Sequence, residues 1–110
     1  KSVGAERTFD TNLTDAADID AALETVAAAA WTRVERADVR GRTATLKLRH
    51  ADFTTLTRAR SVTGTIDTQA HLLDLGRGLI APLLPTPGGI RHLEVVDVQY
   101  PYPSSTGQAG

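Results

Sequence analysis

The fold is decided by the stretch Arg42-Thr43-Ala44-Thr45-Leu46-Lys47-Leu48-Arg49-His50-Ala51-Asp52-Phe53-Thr54-Thr55-Leu56-Thr57-Arg58-Ala59-Arg60. In its first half, Ala44, Leu46 and Leu48 alternate with polar residues, and this period of two predicts a half-buried β-strand. A second alternating run follows a short turn, so the stretch predicts a hairpin of two strands. The polar side of the hairpin is cationic and rich in hydroxyl groups. Such a side suits a phosphate backbone better than an apolar partner.

Patterns on both sides of the hairpin predict an α+β domain. Each predicted helix has one apolar stripe, so both helices must cover the same face of the sheet and leave the other face open. Asp15 is the expected N-cap of the first helix, and Asp67 or Thr68 that of the second. Arg7 interrupts the apolar side of the first strand, which places that strand near an edge. The predicted order is β-α-β-β-α-β in a four-stranded, mostly antiparallel sheet, with strands over 2–10, 40–49, 54–62 and 90–99 and helices over 16–37 and 68–84.

The open face predicted by strand parity carries small, hydroxylated or cationic side chains. Arg58 and Arg60 fall on the opposite parity, so we expect them to reach a nucleic acid only if their strand lies at an edge or carries a bulge. Glu6 adds a carboxylate to the open face, and Phe53 lies in the turn, so no aromatic platform for base stacking is expected there. The residues assigned to the open face are Ser2, Gly4, Thr8, Thr43, Thr45, Lys47, Arg49, Thr55, Thr57 and His92.

Charge is unevenly distributed although the formal net charge of the 110-residue chain is only −1. Residues 10–38 are predominantly acidic and residues 40–60 predominantly basic, a polarity that orients a domain towards a polyanion. The chain has no cysteine, which excludes disulfides and thiol chemistry and fits a cytosolic protein. It shows neither a signal peptide nor an apolar run that could span a membrane. Because it starts with Lys1, we expect a fragment or a processed chain.

No pattern in the sequence predicts a catalytic or metal site. His50 and Asp52 are only two candidate ligands on one turn, and Asp52 is more simply explained as an acceptor for turn amides. His71 is interpreted as a surface or partly packed histidine and Trp31 as a packing residue. No segment forms a nucleophile elbow or a phosphate-binding glycine loop. We therefore expect no cofactor in this domain.

Three segments resemble one known family. Lys1 to Phe9 resembles the opening of the little finger domain of Y-family translesion DNA polymerases of the DNA polymerase IV (DinB) type. Leu46 to Arg60 resembles the central hairpin of that domain, and Gly89 to Val95 its final strand. The segments occur in the family's order and spacing, so the resemblance implies a little finger domain over 1–100, followed by a Pro/Ser/Gly linker or tail over 101–110.

The resemblance implies contacts with duplex DNA. In that family the domain lies in the major groove and holds backbone phosphates of both strands on its sheet. His92 stands where some relatives have a second arginine, and His92 and Glu6 should both weaken the grip on phosphate. Thr45, Lys47 and Arg49 are included among the expected DNA contacts because of their parity on the open face, not because of the family. Arg60 is included together with Arg58, which lies on the same strand with the same parity. The expected DNA-binding residues are Ser2, Gly4, Thr8, Thr45, Lys47, Arg49, Thr55, Thr57, Arg58, Arg60, Arg91 and His92.

The same resemblance implies the role of the parent protein, an error-prone lesion-bypass DNA polymerase of the nucleotidyltransferase class. Its Mg²⁺ and catalytic carboxylates lie in a core absent from this chain, so we expect the domain alone to have no polymerase activity. Expected partners are primer-template DNA, the polymerase core of the same chain and the sliding clamp, in the cytoplasm at the nucleoid. Ser105 to Gly110 does not match the family's clamp-binding peptide. A ferredoxin-like regulatory or protein-interaction module that dimerises through its open sheet remains the alternative.

Overall fold

A computed structural model describes residues 2–85 and 88–98 of the chain. The strands and helices follow one another along the chain in the predicted order, β-α-β-β-α-β. The predicted linker or tail, 101–110, lies outside the described residues. The elements are strand β1 (Ser2–Leu13), helix α1 (Ala16–Ala37), strands β2 (Thr43–His50) and β3 (Thr55–Ser61), helix α2 (Gln69–Ile80) and strand β4 (Ile90–Val98).

The sheet has the strand order β1-β4-β2-β3, and every neighbouring pair is antiparallel. Strands β1 and β2 therefore run parallel with β4 between them, and β3 and β4 run parallel with β2 between them. The chain thus forms two interleaved split β-α-β units. This order, which the sequence left open, makes β1 and β3 the two edges and confirms the edge position predicted for the first strand.

Both helices cover one face of the sheet, as predicted, and the core lies between the two layers. Leu23, Val26 and Val34 of α1 are fully or almost fully buried, as are Leu46 and Leu48 of β2. Helix α1 packs on β1 and β4, and α2 packs on β2 and β3. The opposite face of the sheet is left without a covering element among the described residues.

The two helices pack against each other beside Gly76 of α2. A Cβ atom at this position would lie 3.4 Å from Cδ1 of Leu23. Arg77 joins the helices next to this contact, with hydrogen bonds of 2.8 and 3.0 Å to Asp20 and one of 3.0 Å to Glu24. The hydrogen bond from Arg77 holds the pKa of Asp20 below its usual value. The helices are therefore held together by both packing and charge.

The N-caps of both helices are residues that the sequence predicted. Asp15 Oδ1 accepts a hydrogen bond from the Ala17 amide at 2.9 Å, which confirms the predicted N-cap of α1. Thr68, rather than Asp67, caps α2, because its hydroxyl oxygen accepts the His71 amide at 3.1 Å. Within residues 2–85 and 88–98, neither helix combines the length and hydropathy that crossing a membrane would require.

Several boundaries differ from the predicted ones. Strand β1 continues past residue 10 to Leu13, since Leu13 pairs with Ile90 beyond a register shift. Helix α2 ends at Ile80 and a short 3₁₀ turn follows, because Pro82 has no amide hydrogen to continue the α-helical pattern. The hairpin strands are shorter at their outer ends than predicted, and His50 belongs to β2 rather than to the turn.

A carboxyl group is buried on β4, between β1 and β2. Asp97 of β4 is fully buried and pairs in register with Val3 of β1. Its Oδ2 accepts a hydrogen bond from the Gly41 amide at 3.1 Å, whereas its Oδ1 has no partner among the described residues. Burial raises the pKa of Asp97, and the hydrogen bond from Gly41 only partly opposes this effect.

Candidate nucleic-acid interface

The open face consists of side chains that the strand register aligns in cross-strand rows. All the residues predicted on this face lie there. Thr43 is only 7% exposed, and its hydroxyl group is hydrogen-bonded to that of Ser61 at 2.7 Å. From β1 through β4 and β2 to β3, the rows are Ser2-Val98-Thr43-Ser61, Gly4-Val96-Thr45-Ala59, Glu6-Glu94-Lys47-Thr57 and Thr8-His92-Arg49-Thr55.

The β1 and β4 part of this face carries two carboxylates, each close to a basic side chain. The Nδ1 atom of His92 lies 2.7 Å from Thr8 Oγ1, and its Nε2 lies 3.1 Å from Glu6 Oε1. Glu94 stands directly opposite Glu6 and lies 3.9 Å from Lys47 Nζ. Sequence reasoning missed Glu94, although it shares strand parity with His92 and the same alternation would have placed it on the face.

The last two rows, Glu6 to Thr57 and Thr8 to Thr55, surround a depression of about 480 Å³ that carries both signs of charge. Its hydroxyl group, imidazole and carboxylate at Thr8, His92 and Glu6 occur in the order of a hydrolytic triad. The Glu6 side chain, however, is 62% exposed, whereas the orienting carboxylate of such a triad is buried. Among the described residues, no three potential metal ligands cluster together. The depression offers hydrogen bonds and charge, and its lining residues are Glu6, Thr8, Lys47, Arg49, Thr55, His92 and Glu94.

The edge strand β3 carries positive charge that no nearby carboxylate compensates. Arg58 and Arg60 lie on the helix-side parity, as predicted, and both are exposed. The β2–β3 pairing has no register shift, so the edge position rather than a bulge exposes them. Among the described residues, neither arginine lies within 4.0 Å of a carboxylate oxygen. Thr55 and Thr57 point from the same strand to the open face, and Thr55 Oγ1 accepts a hydrogen bond from Arg49 Nε at 3.4 Å.

The predicted contacts Arg91 and Gly4 have structural roles as well. Arg91 lies where β4 shifts register against both neighbours, and its Nη1 donates to Asn12 Oδ1 at 3.3 Å. A Cβ atom at Gly4 would lie 2.8 Å from the Val96 Cα, so only glycine allows β1 and β4 to approach this closely. The absence of a side chain also leaves the backbone at Gly4 bare on the open face. Arg33 of α1 donates to the Gly4 carbonyl at 2.7 Å.

Comparisons with known proteins agree on one family. The model of the impB/mucB/samB family C-terminal domain matches residues 1–96. The chain is 41% identical over 93 residues to DNA polymerase IV of Gluconobacter oxydans, covering 84% of the chain and 26% of that protein. It is 37% identical over 98 residues to DNA polymerase IV of Halorhodospira halophila, covering 89% of the chain and 27% of that protein. The chain thus spans about a quarter of the length of these relatives.

Solved structures show the same fold. The little finger domain of PolIV, solved in complex with the beta-clamp processivity factor, superimposes with a TM-score of 0.77 at 19% identity, covering 100% of this chain and 97% of that one. DinB from Sulfolobus solfataricus gives a TM-score of 0.72 at 18% identity over 87% of this chain and 28% of that one. These findings confirm the resemblance seen in the sequence: the chain belongs to the impB/mucB/samB C-terminal domain family, the little finger domains of DNA polymerase IV type.

Proposed function

We propose that this chain is the duplex-DNA backbone-binding domain of an error-prone lesion-bypass DNA polymerase, and that it has no catalytic activity alone. The observation that carries the proposal is the edge of β3, where Thr55 and Thr57 on the open side and Arg58 and Arg60 on the helix side are all exposed, and the two arginines have no compensating carboxylate among the described residues. The names of the relatives, DNA polymerase IV, support the parent activity. The Mg²⁺ of that activity belongs to a catalytic core outside this domain.

The contacts that we propose recognise phosphate and not base sequence. Hydroxyl groups and guanidinium groups donate hydrogen bonds to phosphate oxygens, and the bare backbone at Gly4 lets a phosphate approach the sheet. Such contacts fix the position of a duplex and tolerate a damaged base. Glu6 and Glu94 repel phosphate from the β1 and β4 part of the face, so the duplex is held mainly by β2 and β3. The proposed grip is therefore one-sided and weak.

The proposed partners include protein as well as DNA. The polymerase core of the same chain would hold the domain next to the primer-template duplex. A sliding clamp is a second proposed partner, because the structurally similar PolIV little finger was solved with the beta-clamp processivity factor. We propose that the parent polymerase works in the cytoplasm at the nucleoid, where its template lies. The segment 101–110 would serve as a linker or tail of the domain.

The salt dependence of DNA binding tests the proposal directly. If about 3–5 phosphates are neutralised, the logarithm of the association constant should fall against the logarithm of salt concentration with a slope of about −3 to −4. Fluorescence anisotropy with a labelled primer-template duplex measures this slope, and we expect dissociation constants of roughly 10⁻⁴–10⁻⁶ M. Binding that is independent of salt, or that strongly prefers one sequence, would refute the proposal.

Charge reversal at the β3 edge tests the location of the grip. Arg58→Glu should weaken duplex binding about tenfold at low salt, because it removes one phosphate contact and adds a repulsion. Thr57→Glu should act in the same direction. The matched control is Arg36→Glu in the last turn of α1, which changes the net charge equally but lies outside the sheet. Equal losses in the Arg36 and Arg58 variants would show that only net charge matters and would contradict the proposed edge.

The dimerisation alternative makes a different prediction for the same chain. Sedimentation analysis with and without primer-template DNA separates the two functions. A monomer that sediments faster with DNA supports the proposed function, whereas a stable dimer that ignores DNA supports a protein-interaction module.

A further inference from the structure

Phe53 is the one large apolar side chain that the structure leaves exposed within residues 2–85 and 88–98, with 71% of its surface accessible. It lies in the turn between β2 and β3, and its φ of 70° is in the left-handed region. Bulky residues rarely adopt this conformation, and such outliers concentrate at functional positions. The packing of the domain itself gives no reason for an aromatic ring at this position.

The turn holds Phe53 in place with hydrogen bonds of its own. The Phe53 amide donates to the His50 carbonyl at 3.0 Å, and the His50 amide donates to the Thr54 carbonyl at 2.8 Å. Asp52 Oδ1 accepts the Thr54 amide at 2.9 Å, as the sequence predicted. This hydrogen bond keeps the pKa of Asp52 below its usual value. The ring is therefore displayed on an ordered support.

The surroundings of Phe53 favour a nucleic acid over an apolar protein partner. The turn is tied to the start of β4 by a hydrogen bond of 3.3 Å from the Ala51 amide to the Gly89 carbonyl. Arg49 precedes the turn on the open face, and Arg91 lies at the same end of the sheet. An aromatic ring and cationic side chains at one end of a sheet form the combination that proteins use to bind single-stranded nucleic acid, where the cations hold the backbone and the ring stacks on a base.

We propose that Phe53 stacks on an unpaired base where a single strand leaves the duplex held on the open face. The proposal rests on the proposed function, which it extends from duplex backbone to the junction between duplex and single strand. It differs from a stacking platform, because one ring at the end of the sheet contacts one base and no aromatic side chain lies on the described part of the open face.

The experiment compares two DNA ligands with the same duplex, one blunt and one with a short single-stranded overhang. Phe53→Ala should lose affinity for the overhang ligand by about fivefold or more, since removing one stacked base contact has at least this effect. Its affinity for the blunt duplex should change less than about twofold. Phe53→Trp should retain the preference for the overhang and Phe53→Leu should lose it, because stacking needs an aromatic ring.

A second readout reports stacking itself. The fluorescence of 2-aminopurine placed as the first unpaired base should change when the wild-type chain or Phe53→Trp binds, and should stay unchanged with Phe53→Ala. Circular dichroism should show the same fold for all variants, since the side chain is exposed.

The possible outcomes separate the two proposals. If the wild type binds both ligands equally and Phe53→Ala changes nothing, the stacking proposal is wrong and the proposed function stands. If Phe53→Ala weakens both ligands equally, Phe53 supports the duplex grip and the junction role is refuted. If the wild type binds neither ligand, both proposals fail, and Phe53 is then better explained as a contact for a protein.

Discussion

The two edge strands of the sheet, β1 and β3, differ in what their side chains contact. Strand β1 buries Ala5 and Phe9 against α1, and Glu6 on its open side pairs with His92 of the neighbouring strand. Strand β3 has only Leu56 half-buried, and its arginines and threonines stay in solvent on both sides. One edge is therefore part of the scaffold, and the other is free to bind a ligand.

This difference shows that the charges on a face indicate phosphate binding less reliably than whether each charge is already paired with an opposite one. In the row Glu6-Glu94-Lys47-Thr57 of the open face, Lys47 lies 3.9 Å from Glu94, so its charge is paired with a carboxylate. At the β3 edge no described carboxylate lies near Arg58 and Arg60, so these side chains retain their full attraction for phosphate. Substitutions in β1 should consequently act mainly on stability or on repulsion, and substitutions in β3 mainly on affinity.

The largest effect that would sharpen this comparison is expected at Gly4. Gly4→Ala places a Cβ atom 2.8 Å from the Val96 Cα, where only movement of the backbone can relieve the overlap. We expect a loss of about 2–3 kcal/mol in the free energy of unfolding, measured by urea denaturation. Gly64→Ala is the matched control, because no atom lies within 4 Å of its added Cβ. A similar stability for both variants would break the assignment of β1 to the scaffold.

A smaller effect on stability is expected from Asp97, the buried carboxyl group of β4 next to β1. Because burial raises its pKa in the folded state above the ordinary value of 3.8, protonation favours the folded chain. Its contribution is therefore fully present below pH 3.8 and is lost as the pH rises through the folded-state pKa. The difference in unfolding free energy between wild type and Asp97→Asn should shift in favour of the wild type as the pH falls from 7 to 4. A difference that does not depend on pH would contradict this sign.

The smallest effect is expected from Glu6, the carboxylate on the open side of β1. Glu6→Gln removes a repulsion, so binding of duplex DNA should tighten about two- to threefold at low salt and the gain should vanish at high salt. Glu35→Gln, on the exposed surface of α1, removes the same charge away from the sheet and should leave affinity unchanged. If Glu6→Gln instead weakens binding of duplex DNA, the pair of Glu6 with His92 orients a DNA contact, and β1 then takes part in DNA binding.

Much of this fold could be predicted from local patterns. The bounds of α1 coincide with the predicted 16–37, because its apolar stripe and the Asp15 cap both act within one helix. Alternation likewise placed Lys47 and Arg49 on the open face. The β2–β3 hairpin was predicted, but sequence reasoning could not derive the full strand order, since the β1–β4 and β2–β4 pairings join residues far apart in the chain.

The site was predicted less completely than the fold. The parity of Arg58 and Arg60 was right, but whether they are accessible depends on β3 being an edge, which only the strand order shows. The turn at Phe53 was predicted, whereas its left-handed backbone and its exposure have no signal in the composition of the turn. The assignment of individual side chains to DNA stays a prediction.

The hydrogen bond from Arg33 to the Gly4 carbonyl has a consequence for how the domain behaves in a crowded cell. A long edge strand offers free backbone groups to any other extended chain, which is how sheets of separate molecules fuse into aggregates. Arg33 reaches from α1 and occupies one of these acceptors with a charged group. The scaffold edge is thereby kept from recruiting a foreign strand, while charge protects the opposite edge. In this way the open sheet can stay exposed without fusing with other sheets.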